Sequence, residues 1–190
     1  MLLSRLFNPI LPNNPEIIIY STFSNTRLHY TLDFIIKQIW QKNYILTTDL
    51  KIFQSSDKIK INYTKSYFHD AINVFPLPLL QSKGVHKHVQ TNFEVSQTGF
   101  YTEDIFSKVF YHISRYEEWQ KNFLPDKHQR FEASASSFAH QLHLPFIDIS
   151  IQHFKKYIQS RYSSFETPYS YKEIYTFDLD NILAFKGKPL

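Results

Sequence analysis

Four groups of residues in this sequence have the types and spacing for chemistry. Asp178 and Asp180 follow a short apolar stretch, Ile174 to Phe177. Residues two apart on a straight strand share a face, so the two carboxylates can converge on one site. Arg115, Glu117 and Glu118 place an arginine beside paired carboxylates. On a helix only positions three or four apart meet, so Glu118 shares a side with Ser114 and Trp119 with Arg115. The simpler reading is an ion pair that fixes the loop beyond, with Asp126 or Glu132 as the partner of Arg115. Asp126, His128 and Arg130 form a polar cluster on a loop, where functional residues concentrate; the alternative is a clip that holds this loop to the preceding helix. Finally, His86 and His88 form a His-x-His pair, and His140 and His143 a His-x-x-His pair. On a strand the first pair would share a face and suit zinc. No carboxylate or third ligand is adjacent, which favours plain loop histidines.

Composition removes several classes of chemistry. The 190 residues include only three glycines, Gly84, Gly99 and Gly187, so neither G-x-G-x-x-G nor a P-loop can be written. There is no cysteine, which excludes disulfides, thiol catalysis and cysteine-bound zinc. With 18 Phe and 13 Tyr there is ample surface to bury, against disorder. Aromatics at helical spacing are usually core, although such rings also stack on sugars. The net charge is +4, but the basic residues are scattered among acids, and nucleic-acid sites cluster their charge. Met1 to Leu11 lacks the uninterrupted apolar core of a signal peptide. No apolar run approaches the ~20 residues of a membrane span. The expectation is a cytoplasmic protein with neither membrane nor nucleic acid as a partner.

The elements that must position these residues follow from periodicity. Residues 16–22, a β-branched run after Pro15, predict a buried strand. Leu28, Leu32, Ile35, Ile36 and Ile39 recur at three- and four-residue spacing, predicting a helix over 26–41. Strands are expected at 44–47 and at 58–63, the latter alternating strictly and so with one face wet. Ile72 to Phe75 reads as a short strand ended by Pro76 and Pro78, and Val85 to Val95 as strand or loop. The stripe Ile105, Phe106, Val109, Phe110, Ile113, Tyr116, Trp119 predicts a helix over 103–119. Leu142 to Phe146 reads as extended, and Ile151, Phe154, Ile158 and Tyr162 predict a helix over 148–162. The fold class is α/β or α+β, a small mixed sheet with about three main helices packed on it. A domain spanning 1–165 would close there, followed by a Ser-, Thr- and Pro-rich linker and a new strand.

Several segments, taken in order, resemble bacterial polysaccharide-deacetylase-like proteins. They are Thr26–Ile36, Tyr44–Asp49, Ile59–Tyr63, the Ser-Arg-Tyr-Glu-Glu helix within Asp104–Trp119, Asp126-Lys-His128-Gln-Arg130-Phe131, Leu144–Asp148, Thr176–Asn181 and Ala184–Lys188. Gln129 stands where that group usually has glycine, which is expected to change the turn. The resemblance implies that 1–165 is the group's N-terminal accessory domain, of no assigned activity, and that 172–190 begin its deacetylase barrel. It further implies Asp178 as general base and Asp180 as metal ligand, the pair separated by Leu179 where adjacent aspartates are usual. The parent protein is then expected to be a metal-dependent carbohydrate deacetylase using a divalent metal such as zinc. The metal-binding histidines belong to a later strand, so this chain is expected to be inactive alone and to hold no cofactor.

Three functions stand against one another on these grounds. The first is a non-catalytic accessory domain that works with its own C-terminal deacetylase domain. The second is a glycan-binding module, which requires exposed aromatics along a groove, with polysaccharide as the partner. The third is a nuclease-like or nucleic-acid-binding α/β domain, which requires salt-sensitive binding.

Overall fold

The computed structural model describes residues 16–89, 91–120, 123–168 and Tyr175. Its centre is β1 (Ile17–Ser21), whose three consecutive isoleucines are all buried, as a strand covered on both faces requires. β2 (Tyr44–Thr47) and β3 (Ile59–Tyr63) pair with β1 on either side, and β4 (Ile72–Asn73) pairs with β3. All pairings are parallel, in the order β2-β1-β3-β4. The α/β class is therefore as expected, while the pairing refines the sheet from mixed to wholly parallel.

Parallel pairing needs crossovers, and helices supply the first two, while β3 reaches β4 through the helix-free residues 64–71. α1 (Thr26–Leu32) links β1 to β2, and the Asn25 side chain caps it by accepting the Leu28 N–H at 3.0 Å. It widens into a π-helical segment, Asp33–Ile39, in which the Trp40 N–H reaches back to the Ile35 carbonyl. The second crossover uses α2 (Leu50–Ser55), which periodicity did not suggest because it is short; Asp49 caps it by accepting from Lys51 and Ile52. The first crossover runs from β1 to β2 and the second runs the opposite way, from β2 past β1 to β3, so right-handed connections place α1 and α2 on opposite faces. The packing agrees. Ile17 and Ile19 join the main core with α1, whereas Ile18 packs with Phe53 of α2. This arrangement also corrects the wet face expected for β3. Four of its five residues are buried, and the 9% exposed Lys60 sends Nζ to Asp70 at 2.7 Å.

Three further helices complete the main layer: α3 (Ile105–Ile113), α4 (Tyr116–Gln120) and α5 (Phe146–Arg161). The helix expected over 103–119 is thus two helices. They meet at Ser114 and Arg115, the latter in the left-handed region at φ 53. Residues 85–89 and 91–95 are irregular apart from one antiparallel bridge, Glu94 with Glu103. The extended piece expected at 142–146 is a turn, and α5 begins at Phe146. Phe165 is fully buried with its ring 5.4 Å from that of Trp40, so the core takes in this residue beyond α5. Among the described residues no helix is long and apolar enough to cross a membrane.

Candidate functional site

The α3–α4 corner sorts its motif residues by direction. Tyr116 and Gln120, four apart, face inward. The Tyr116 hydroxyl accepts the His86 N–H at 2.9 Å, and Gln120 Nε2 donates to the His86 carbonyl at 2.9 Å. Glu117 faces the loop beyond, its carboxylate accepting from Ser136 Oγ at 2.8 Å and from Ser137 N and Oγ at 2.7 and 2.5 Å. Arg115, Glu118 and Trp119 face solvent, with Arg115 Nε donating to Glu118 Oε1 at 2.5 Å. Arg115 therefore pairs with Glu118 of the helix that follows it, not with Asp126 or Glu132, because the left-handed turn at residue 115 precedes α4 and leaves its side chain 72% exposed. The loop is held by Glu117 instead.

Asp126, His128 and Arg130 close a tight turn among themselves. Asp126 Oδ1 accepts the N–H groups of His128 and Arg130 at 2.8 Å, and Oδ2 accepts from Arg130 Nε at 2.9 Å. These bonds from Arg130 and His128 hold the Asp126 carboxyl below the usual carboxylate range. Gln129 adopts the left-handed conformation, φ 62, that glycine favours. The His128 ring is exposed.

These two groups meet across a groove of about 720 Å³. Arg115, Glu118 and Trp119 form one wall, and Phe123, Arg130 and Phe131 the other. Trp119 is 65% exposed, the feature a sugar-stacking platform requires. Each arginine is balanced by its own carboxylate, Glu118 or Asp126. The groove thus offers planar donors and acceptors with little net charge, which suits hydroxyl groups better than phosphates. A second depression adjoins it, sharing Phe123 and Phe131 and bounded by Lys87, Glu117 and Ser137. A third, of about 280 Å³, shares His88 and Val89 with the second and is lined by Leu77, Leu79 and Phe93.

The placement follows from the fold. Residues 77–89 leave the carboxyl end of β4, and the Asn25 side chain, just past the carboxyl end of β1, donates to the Leu80 carbonyl at 2.7 Å. Open α/β sheets bind ligands at that edge, where strand order reverses. Arg27 does much of the positioning and was not singled out from the sequence. Its guanidinium donates to Leu79 O at 2.9 Å, to Ser82 Oγ at 3.0 Å and to Gly84 O, and lies 5.3 Å from the Phe110 ring and 5.6 Å from that of Tyr116. A signal existed. A cation in the first turn of a helix opposes the helix dipole, and so points to a tertiary role.

Two titratable groups of the α3 segment are shifted by their surroundings: Asp104, fully buried at its N-terminal end, and His112, half-buried near the corner. Asp104 caps the helix, accepting from Ser107 N at 3.0 Å, Leu77 N at 2.7 Å and the Tyr63 hydroxyl at 2.9 Å. Burial outweighs these bonds and pushes its carboxyl up to about 6. The same burial, with the Asp104 charge beside it, raises the Tyr63 hydroxyl well above 10. His112 stands edge-on to Phe138 and Phe146, at 4.4 and 4.8 Å, and its Nε2 is buried without a partner. Burial, aided by Lys108, lowers its imidazole to about 4.

The remaining sequence candidates divide. His86 and His88 are exposed and both border the 280 Å³ pocket, so the fold does bring them to one site. His140 and His143 are exposed on the surface away from it. No group of three His, Asp or Glu able to hold a metal occurs among the described residues. Asp178 and Asp180, with the barrel start expected at 172–190, lie outside the described residues apart from Tyr175. Against known proteins, residues 17–163 match a family of unknown function, DUF7033. No curated protein and no solved structure matches the chain.

Proposed function

We propose a non-catalytic, glycan-holding role for this chain, which belongs to the DUF7033 family. In this reading it is the accessory domain of a polysaccharide-deacetylase-like protein, and its groove holds polysaccharide for the protein's own deacetylase domain. The observation that carries the reading is the groove in which exposed Trp119 stands beside two arginines, each paired with its own carboxylate. A pyranose ring presents an apolar face for stacking and a rim of hydroxyls for planar donors and acceptors, and the groove offers both. The ordered resemblance of the Ser-Arg-Tyr-Glu-Glu helix, the Asp126–Phe131 turn and Thr176–Asn181 to that group supports the deacetylase association. The metal, with Asp178 and Asp180 as base and ligand, belongs to the barrel.

The chain carries its own reporter. Of its two tryptophans, Trp40 is 1% exposed and Trp119 is 65% exposed. Titration with a tetramer of N-acetylglucosamine should shift Trp119 emission to the blue and shield it from acrylamide, saturably, and Trp119→Ala should abolish both changes. An unchanged spectrum at millimolar oligosaccharide would sink the proposal.

A further inference from the structure

We infer that the pocket bounded by His86 and His88 is a subsite for the acyl substituent of a glycan whose chain lies in the Trp119 groove; the inference rests on the glycan reading above. Size is the first reason. Its volume of about 280 Å³, at the small end of ligand pockets, has ample room for a substituent of something anchored elsewhere. Chemistry is the second. Leu77, Leu79, Val89 and Phe93 make the interior apolar, as a methyl group wants, while the imidazoles of His86 and His88 sit where an amide's N–H or carbonyl needs a partner.

Continuity is the third reason. The pocket shares His88 and Val89 with the middle depression, which shares Phe123 and Phe131 with the Trp119 groove. A chain stacked on Trp119 has a path past Lys87 and Ser137 to the pocket. Preorganisation is the fourth. The pocket's backbone is an irregular segment, yet Arg27 binds Leu79, Ser82 and Gly84, while Tyr116 and Gln120 grip both backbone groups of His86. Side chains that fix a loop in one shape lower the cost of binding there.

The test compares two uncharged tetramers with the whole chain, read by Trp119 emission: the N-acetylglucosamine tetramer and cellotetraose, which has hydroxyls in place of the acetamido groups. The acetylated tetramer should bind at least tenfold tighter, within the roughly 10–200-fold by which a hydrophobic pocket discriminates. Its acetyl methyls should show nuclear Overhauser contacts to Leu79 and Val89. Val89→Phe, which fills the pocket, should remove the preference; His88→Ala, at an exposed position, should weaken the preference in the same direction without threatening the fold. Equal affinity for the two tetramers, with no methyl contacts, overturns the acyl subsite and leaves the glycan groove standing. Failure of both tetramers to bind overturns the groove reading, and the subsite falls with it.

Discussion

Helix α3 carries a buried aspartate at its N-terminal cap and a half-buried histidine near its end whose titrations oppose each other, and single substitutions should unmask them. Asp104 is raised from 3.8 to about 6 by burial. Below its unfolded value the group is protonated in both states and costs nothing; as pH rises through about 6 the folded state must hold a buried charge, and stability is lost. At about 1.4 kcal/mol per tenfold change in proton affinity, the loss is about 3 kcal/mol. His112 is lowered from 6.5 to about 4, so its contribution is present above 6.5 and is lost as pH falls through about 4, again by about 3 kcal/mol. The windows overlap, and between about pH 4 and 6 the two slopes nearly cancel.

Asp104→Asn should therefore lose about 3 kcal/mol on acidification from about pH 6.5 to 4, exposing the histidine. His112→Leu should gain a similar amount over the same range, exposing the aspartate, and the double variant should be nearly flat. Every partner of Asp104 is a donor, so the asparagine NH₂ must confront one of them. That adds an offset of about 1–3 kcal/mol, which is independent of pH and separable from the slope. Urea unfolding followed by circular dichroism, at four pH values across this range, measures both. If Asp104→Asn and the parent chain run parallel across the range, burial does not dominate at Asp104 and the reasoning fails.

Three further outcomes are expected. Arg27→Lys keeps the charge but loses the planar fork across Leu79, Ser82 and Gly84, and should cost about 1–3 kcal/mol; faster hydrogen exchange at the His86 amide would report the loosened segment. Glu117→Ala removes the acceptor for three bonds from Ser136 and Ser137, so limited proteolysis should cut near residues 133–141 with little change in overall melting; an unaltered cleavage pattern counts against the clip. Gln129→Gly relieves a side chain held at φ 62 and should stabilise the chain by up to about 1 kcal/mol in urea unfolding.

Local pattern determined much of this protein. The three-isoleucine run specified a buried strand, and the stripes beginning at Leu28, Ile105 and Ile151 specified the helices whose apolar faces form the core. The Arg115–Glu118 and Asp126–Arg130 clusters were also visible in the sequence, because charges a few residues apart declare themselves by type. What local pattern lacks is distance across the fold. The alternation in residues 58–63 suggested a wet face, but parallel neighbours and α2 bury both faces, and Asp70 makes Lys60 tolerable there. Periodicity continued through Ser114, but the left-handed turn at Arg115 ended the helix and sent Glu117 to the loop at 136–137. His86 and His88 looked like isolated loop residues until Arg27, Tyr116 and Gln120 folded their segment against the groove. Each of these outcomes depends on partners roughly 10 to 57 residues away in the chain. Sequence spacing fixes which face a residue shows, while the groove exists only where tertiary packing decides what that face meets.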